Sequence, residues 1–162
     1  MSEDHASQKP SGAEARSGGN QSESNSGWAR PLPRPDNVTA PYWQAATRGE
    51  LLIQRCPACG QRQFYPRALC TACGADPEWE RASGRGTVHT FTVIRQNYAK
   101  PFRDELPYIV AIIELAEGPM MMSNVTDCAA DDIHVGMPVE AHFVTAEDGI
   151  GVPFFRPLAD GS

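Results

Sequence analysis

Two pairs of cysteines, each followed by a glycine, constrain the fold of this chain more than any other feature. Cys56 and Cys59 form the first pair and Cys70 and Cys73 the second, with ten residues between the pairs. Each CxxCG segment makes a tight turn that brings two thiolates together, and its glycine adopts the backbone conformation that the turn requires. Two such turns complete a tetrahedral shell of four thiolates, which is the ligand set of a structural zinc site. The spacing therefore predicts a zinc ribbon.

Two alternatives use the same four cysteines: an iron site and a pair of disulfide bonds. The chain begins Met1-Ser2-Glu3-Asp4 without an apolar signal segment, and its longest apolar run, residues 109–113, is far shorter than a membrane span. We therefore expect a soluble, cytoplasmic protein with no membrane partner. In that setting the cysteine spacing favours metal over disulfides.

Charge is unevenly distributed along the chain. The formal net charge is −6, yet residues 50–100 carry seven basic and four acidic side chains, whereas residues 101–162 carry two basic and eleven acidic ones. Because affinity for nucleic acids depends largely on neutralising phosphates, such an acidic chain is a poor candidate for a general DNA or RNA binder. The basic stretch around the ribbon still permits contact with a small phosphorylated ligand.

Composition and turn signals divide the chain into five predicted segments. They are a disordered tail with a Pro-rich linker at 1–35, an N-terminal helix at 36–49, the zinc ribbon at 50–80, an OB-fold domain at 81–158 and a C-terminal tail at 159–162. The first 27 residues are rich in Ser, Gly, Asn, Gln and Glu. They bury too little apolar surface to offset the entropy of ordering.

The predicted helix carries an aromatic pair. Thr39 is a candidate N-cap, Pro41 lies in the first turn, where its missing N–H costs nothing, and Gly49 ends the helix. Tyr42 and Trp43 lie near one face, and a helix this short has to bury its aromatic rings against its own domains or against another protein. Because it precedes a small ribbon with little core to cover, we favour Tyr42 and Trp43 as a partner-binding surface.

Downstream of the ribbon the sequence is typical of β-structure. Strands are predicted at 87–94, 108–115, 120–125, 139–144 and 150–155. Five such strands with one longer excursion, and no helical pattern that would support a parallel sheet, predict a small closed barrel of the OB type. The fold class is therefore mainly β. The excursion, residues 95–107, is the kind of loop on which a rigid barrel carries binding residues.

No set of residues in the sequence forms a recognisable catalytic group. There is no GxSxG elbow, HExxH helix or glycine-rich phosphate loop. Cys128, the one cysteine outside the ribbon, would need His134 or His142 beside it to act as a nucleophile, and a lone cysteine of this kind is more often a small buried hydrophobe. We therefore expect no catalytic residue in this chain, which is predicted not to be an enzyme by itself.

The order of these parts resembles the acyl-CoA-associated family of zinc-ribbon/OB-fold proteins, over roughly residues 36–158. The resemblance rests on several separated motifs: Pro41-Tyr42-Trp43, the two CxxCG knuckles, Gly86-Thr87-Val88, Leu106-Pro107-Tyr108-Ile109-Val110-Ala111, Glu117-Gly118-Pro119, Gly136-Met137-Pro138 and Pro153-Phe154-Phe155-Arg156-Pro157. It implies an N-terminal helix, a rubredoxin-like ribbon and a five-stranded OB barrel. It also implies one structural Zn²⁺ held by Cys56, Cys59, Cys70 and Cys73.

Members of that family are small non-catalytic subunits of thiolase-fold enzymes, among them ketothiolases, acyltransferases and sterol side-chain aldolases, or of acyl-CoA hydratases. The resemblance therefore implies a thiolase-like partner, in a hetero-oligomer of α2β2 stoichiometry, and a role in lipid or steroid metabolism. We hypothesise that Tyr98, Lys100, Phe102 and Arg103 line the partner's acyl-CoA entrance, where cations meet phosphates and aromatic rings cover the pantetheine or acyl portion.

Three other functions remain open. One is a subunit of an acyl-CoA hydratase instead of a thiolase-like enzyme. The second is a nucleic-acid-binding ribbon and barrel, which the acidic C-terminal half disfavours. The third is a rubredoxin-like electron carrier, for which the ten residues between the knuckles are few and an attached barrel is superfluous.

Overall fold

The computed structural model describes residues 28–159, so the predicted disordered tail at 1–27 lies outside the described residues. The ordered elements in chain order are α1 Ala40–Thr47, β1 Leu52–Arg55, β2 Arg62–Gln63, β3 Glu78–Arg81, β4 Arg85–Ile94, α2 Lys100–Arg103, β5 Tyr108–Leu115, β6 Met120–Val125, β7 Pro138–Thr145, a 3₁₀ turn Glu147–Gly149 and β8 Gly151–Pro157. Neither helix in this part of the chain has the length and apolar character needed to cross a membrane.

The helix α1 begins with a turn that a carboxylate organises. Asp36 Oδ1 accepts hydrogen bonds from the Thr39 N–H at 2.7 Å and from the Thr39 hydroxyl at 2.7 Å. These bonds lower the pKa of Asp36, the hydroxyl contributing most. Thr39 is the N-cap residue, as the sequence indicates, but its side chain binds Asp36 instead of capping α1. Pro41 lies in the first turn, and Gly49, with φ of +76°, follows the C-cap.

The ribbon is a three-stranded antiparallel sheet in the order β2-β1-β3. β1 and β2 form the hairpin that carries the first knuckle at its tip, pairing Gln54 with Gln63 and Arg55 with Arg62. β3 returns along the other edge of β1, with Leu52 paired to Arg81. No sequence pattern indicates β3, because Trp79 is the single apolar residue of that four-residue strand.

The five strands β4 to β8 form a closed barrel in the order β4-β5-β6-β8-β7. All neighbours are antiparallel except β6 and β8, whose parallel contact pairs Val125 with Phe155, and β7 closes the barrel against the start of β4. This order with one parallel closure is the topology of an OB-fold. The predicted mainly-β fold, with a short helix, a four-cysteine ribbon and a five-stranded barrel, is confirmed. β5 and β6 have the bounds that the sequence predicts.

One hydrophobic core joins the helix, the ribbon and the barrel. Tyr42 of α1 and Ile53 of β1 are buried in the same cluster as Ile113 and Phe155 of the barrel. Because burial of apolar side chains is the main stabilising contribution to folding, the three parts are held as one body. The ribbon therefore has a fixed orientation relative to the barrel.

Gly151 allows α1 and β8 to come close together. A Cβ atom at this position would overlap the Ala46 carbonyl group and lie 2.9 Å from the Thr47 Cα atom. The Gly151 N–H also donates a hydrogen bond to Thr47 Oγ1 at 3.2 Å. Only a residue without a side chain fits between these two backbones.

Candidate metal centre and aromatic groove

The four ribbon cysteines converge on one point. Their sulfur atoms all lie within 4.8 Å of one another, with 3.5 Å between Cys56 and Cys73 and 3.7 Å between Cys59 and Cys70. A tetrahedral zinc ion with Zn–S bonds of about 2.3 Å places its sulfur ligands about 3.8 Å apart. All four are free thiols in the structure. The cluster therefore fits a metal ion bound by four thiolates.

The two knuckles have the same backbone geometry. The Gly60 N–H donates to the Cys56 carbonyl at 2.9 Å, and the Gly74 N–H donates to the Cys70 carbonyl at 2.9 Å. Both glycines have φ of +76°, a conformation that side-chain-bearing residues rarely adopt. The glycine after each cysteine pair thus has the role that the sequence indicates.

Backbone N–H groups favour the ionised form of Cys70 in the second knuckle. The Ala72 N–H, which lies 3.4 Å from the Cys70 sulfur, and then the Cys73 N–H lower the pKa of the Cys70 thiol to about 6. In Cys73 the Ala75 N–H also lowers the pKa, but the neighbouring Cys56 and Cys59 sulfurs outweigh it and raise the pKa to about 12. Because the thiolate is the metal-binding form, Cys70 is the thiol of this knuckle that its surroundings favour as a ligand.

Two buried glutamines support the metal centre, and the sequence analysis missed them. Gln54 and Gln63 face each other across β1 and β2, and Gln63 Nε2 donates to Gln54 Oε1 at 2.8 Å. Gln54 also bonds both backbone groups of Arg67, and Gln63 Oε1 accepts the Thr71 N–H at 2.9 Å. The pair thus connects the hairpin to Arg67, which lies between the knuckles, and to Thr71, which follows Cys70 in the second knuckle. A polar residue on the buried side of a strand is the sequence signal for such a network.

Next to the ribbon lies an aromatic groove of about 510 Å³ between α1, the ribbon, the barrel and the segment that precedes α1. Its walls include Trp43, Phe64, Tyr65, Met122 and Phe154. Tyr65 is 44% exposed and Met122 is 68% exposed, which is unusual for large apolar side chains. The groove is an apolar, partly open surface of the kind that binds ligands or partners.

The structure separates the two aromatic residues of α1. Tyr42 is 2% exposed, and its ring centre lies 5.6 Å from that of Phe64 and 6.0 Å from that of Tyr65. It is therefore part of the protein's own core. Burial raises its pKa. Trp43 is half-buried and lines the groove, 4.9 Å from Tyr42 in an edge-to-face arrangement. Of the predicted pair, Trp43 is the residue with surface available for a partner.

The structure likewise brings together only part of the predicted loop set. Phe102 in α2 lines the groove, with its ring 6.2 Å from Tyr108. Lys100 and Arg103 are exposed on either side of it. Tyr98 is 85% exposed and does not line the groove. The loop therefore offers one apolar contact to the groove, flanked by two cations.

The segment before α1, predicted as a Pro-rich linker, lines the groove with Trp28, Arg30, Pro31 and Pro33, and the contacts of Trp28 and Arg30 were not predicted from the sequence. The Trp28 ring stacks on Phe154 at 6.2 Å. The Arg30 guanidinium lies between the barrel and the α2 loop, where it bonds Glu105 and Asn124. An arginine between Ala29 and a Pro-rich run gives no periodic signal, so its partners became visible only in the tertiary structure.

A nucleophilic Cys128 would need a hydrogen bond to His134 or His142, and within the described residues both histidines bond other groups. His142 Nε2 lies 2.6 Å from the Thr126 hydroxyl, and His134 Nδ1 lies 3.0 Å from the Asp132 carbonyl. Burial, and then the Asp132 charge, raise the pKa of the Cys128 thiol. Its surroundings favour an unreactive thiol over a thiolate.

The fold and the four-thiolate cluster define a protein made of a rubredoxin-like metal ribbon and an OB barrel. The family model of the ChsH2 rubredoxin-like zinc ribbon domain matches residues 43–80, and the model of the ChsH2 C-terminal OB-fold domain matches residues 79–144. A DUF35 domain-containing scaffold protein of Methanocaldococcus jannaschii is 40% identical over 111 residues, which cover 67% of this chain and 78% of that protein. The chain belongs to the DUF35 family, and the resemblance seen in the sequence is confirmed.

Two further comparisons extend this result. A probable enoyl-CoA hydratase alpha subunit of Thermomonospora curvata is 34% identical over 128 residues, which cover 79% of this chain. The chain spans 40% of the length of that relative. The solved structure of an Ltp2-ChsH2(DUF35) aldolase contains a chain that is 35% identical and superposes with a TM-score of 0.71, covering 78% of this chain and 98% of the other.

Proposed function

We propose that this protein is a non-catalytic accessory subunit that binds and stabilises a thiolase-like acyl-CoA enzyme. The observation that carries the proposal is the match to nearly the whole of a chain in the Ltp2-ChsH2(DUF35) aldolase. At 35% identity and a TM-score of 0.71, the likeness includes the ribbon, the barrel and their shared orientation. The partner would supply the acyl-CoA chemistry, in a cytoplasmic hetero-oligomer of α2β2 stoichiometry. Because thiolase-fold enzymes with such subunits include sterol side-chain aldolases, a role in steroid metabolism is part of the proposal.

A subunit of an acyl-CoA hydratase is the second candidate. It is favoured by the relative named as a probable enoyl-CoA hydratase alpha subunit, of which this chain spans 40%. The remainder of that relative lies outside the matched residues.

Co-purification tests both candidates. The tagged full chain is expressed together with a thiolase-like protein, and separately with an acyl-CoA hydratase, from the same organism, and the captured complexes are analysed by light scattering. Capture of the thiolase-like protein at equal stoichiometry is expected. Capture of the hydratase alone would replace the main proposal with the second one, and capture of neither would refute both.

The ribbon is proposed to hold one structural Zn²⁺ per chain, with Cys56, Cys59, Cys70 and Cys73 as ligands. The metal, when bound, cross-links the two knuckles, and structural zinc of this kind contributes on the order of 10 kcal/mol to folding. Because the ribbon shares its core with α1 and the barrel, the metal indirectly fixes the groove. Metal analysis of the purified protein should give one zinc per chain in a colourless sample, whereas a red, iron-loaded sample would contradict a structural zinc site.

The loop that carries α2 is proposed to contribute to the acyl-CoA entrance of the partner. Phe102 would cover the pantetheine or acyl portion, while Lys100 and Arg103, exposed beside it, would meet phosphates. Tyr98, which is 85% exposed, is proposed to contact the partner directly. Trp43, which lines the groove, is proposed to contact the partner as well.

Alanine substitution of Phe102 and Arg103 tests this loop. The double variant is expected to raise the KM of the complex for acyl-CoA at least tenfold, since it removes one apolar contact and one phosphate contact. Arg95→Ala is the matched control, because Arg95 lies in the same loop but outside the proposed contact set. Unchanged partner capture together with unchanged acyl-CoA turnover in the double variant would refute the role of the loop.

A further inference from the structure

Arg30 is held in the structure far more firmly than its place in a Pro-rich segment suggests. Its side chain is only 12% exposed, although arginine is among the residues least often buried. Its Nε donates to both carboxylate oxygens of Glu105 at 3.1 Å, Nη2 also bonds that carboxylate, and Nη1 donates to Asn124 Oδ1 at 2.7 Å. A forked set of charge-assisted hydrogen bonds of this kind is specific for the planar guanidinium group.

Three aromatic rings surround the same guanidinium. Its carbon atom lies 5.3 Å from the ring centre of Phe102, 5.7 Å from that of Tyr108 and 5.1 Å from that of Phe154. All three distances fall within the range of about 6 Å over which a cation is attracted by the face of an aromatic ring. The charge is therefore stabilised by the rings as well as by Glu105.

The groups around Arg30 come from separate parts of the chain. Phe102 and Glu105 belong to the α2 loop, Asn124 to β6 and Phe154 to β8. Asn124 is itself oriented, because its Nδ2 donates to the Ile109 carbonyl at 2.8 Å and leaves Oδ1 facing Arg30. One side chain thus connects the segment before α1, the α2 loop and the wall of the barrel.

The α2 loop is joined to the barrel by this connection and by a 3.0 Å hydrogen bond from Asn97 Nδ2 to the Tyr108 hydroxyl. Within the loop, α2 is a single turn whose longest backbone hydrogen bonds are 3.4 Å, and the structure gives it no buried residue. A four-residue helix is too short to be stable by itself. The contacts to Arg30, together with the Phe102 and Tyr108 rings, hold the loop against the barrel.

We propose that Arg30 is a positioning residue that latches the α2 loop to the barrel and thereby presents Phe102, Lys100 and Arg103 to the partner. The presentation rests on the proposed function, whereas the latch itself belongs to this chain alone. Arg34, four residues further on, is exposed and forms none of the side-chain contacts described for Arg30. It provides a matched control within the same segment.

Hydrogen exchange followed by mass spectrometry on the full chain tests the latch. In Arg30→Ala, the amides of residues 99–106 are expected to exchange at least tenfold faster than in the unsubstituted protein, while those of β5 and β6 keep their rates. Arg34→Ala should leave both regions unchanged. Arg30→Lys should restore only part of the protection, because lysine keeps the charge but lacks the planar fork.

Two results would overturn the proposal. One is a loop that exchanges at the same rate in Arg30→Ala and in Arg34→Ala. The other is an equal acceleration across the loop and the barrel strands, which would make Arg30 a general stabilising residue. If Arg30→Ala fails to fold, Glu105→Gln removes the charge from the loop side of the latch and must loosen residues 99–106 by a smaller factor.

Partner capture separates the latch from the proposed function. If the loop responds to Arg30 but no thiolase-like protein is captured by the unsubstituted chain, the latch stands and the accessory-subunit proposal fails. If the partner is captured equally by the unsubstituted chain and by Arg30→Ala although the loop is loosened, the presentation of the loop to the partner is refuted. A drop in capture of at least tenfold in Arg30→Ala, with partial recovery in Arg30→Lys, is the expected result.

Discussion

Replacing Gln63 by leucine should weaken metal binding without touching a metal ligand. Leucine has a similar size but no polar atom, so the substitution removes the acceptor of the Thr71 N–H, 2.9 Å away, and the donor to Gln54 Oε1, 2.8 Å away. Gln54 Oε1 keeps its bond from the Arg67 N–H at 2.8 Å. The Thr71 N–H, by contrast, loses its partner in a partly buried place. Thr71 follows Cys70 directly, so the loss of this hydrogen bond affects the second knuckle.

The magnitude follows from the number of polar groups left without a partner. An unsatisfied buried group costs about 1–3 kcal/mol. The Thr71 N–H loses its acceptor here, and the Leu69 carbonyl also loses its 3.3 Å bond from Gln63 Nε2, but Leu69 is 53% exposed and its carbonyl can bond water instead. A change in the groups that orient metal ligands typically lowers metal affinity by about 10–100-fold. Since a factor of ten corresponds to about 1.4 kcal/mol, the two routes give the same range. We expect Gln63→Leu to weaken zinc binding about 10–100-fold.

Competition with a chromophoric zinc chelator measures this change on the full chain, and thermal melting with saturating zinc shows whether the variant is folded. Gln61→Leu is the matched control, because Gln61 lies in the same hairpin but is exposed, and the one side-chain hydrogen bond it forms is to the neighbouring Arg62 carbonyl; its backbone bond to the Cys56 N–H is kept in the variant. It should bind zinc as tightly as the unsubstituted chain. Equal zinc affinities for Gln63→Leu and Gln61→Leu would show that the glutamine pair does not support the metal centre.

Two further predictions concern the helix and the barrel. Gly151→Ala should lower the free energy of unfolding by about 1–3 kcal/mol, because the new methyl group overlaps the Ala46 carbonyl. Thr47→Ala, the control, removes only the 3.2 Å bond from the Gly151 N–H and should lower the free energy of unfolding less, as measured by urea titration. If Gly151→Ala is as stable as Thr47→Ala, the overlap is disproved. Burial lowers the pKa of His142 below its ordinary value of 6.5, so the unfolded chain takes up the proton first and stability should fall as pH drops below about 6.5. His142→Gln should reduce that slope between pH 6.5 and 5, and an unchanged slope would mean that His142 does not cause it.

The sequence by itself determined the parts of this protein that depend on local spacing. The CxxCG pairs specify where two thiolates converge, because the turn geometry is set within five residues of chain. The bounds of β5 and β6 follow from apolar runs that end at turn residues, and these strands pair with their nearest neighbours in sequence. Because these elements depend on residues close together in the chain, the barrel and the metal ribbon were both predictable. The order of the motifs along the chain was enough to indicate the family.

Only the tertiary structure decided which residues lie in the core, which line the groove and which hold the loop. Tyr42 and Trp43 are adjacent in sequence and both border the groove, yet Tyr42 is buried in the core and Trp43 is only partly buried, because the core that covers Tyr42 comes from the ribbon and the barrel. Gln63 shows the same limit, since its main partners are assembled by the knuckle fold. Arg30 meets Glu105 75 residues away along the chain. Contacts over such separations leave no periodic signal, because they depend on the closure of the whole fold and not on the conformation of either segment.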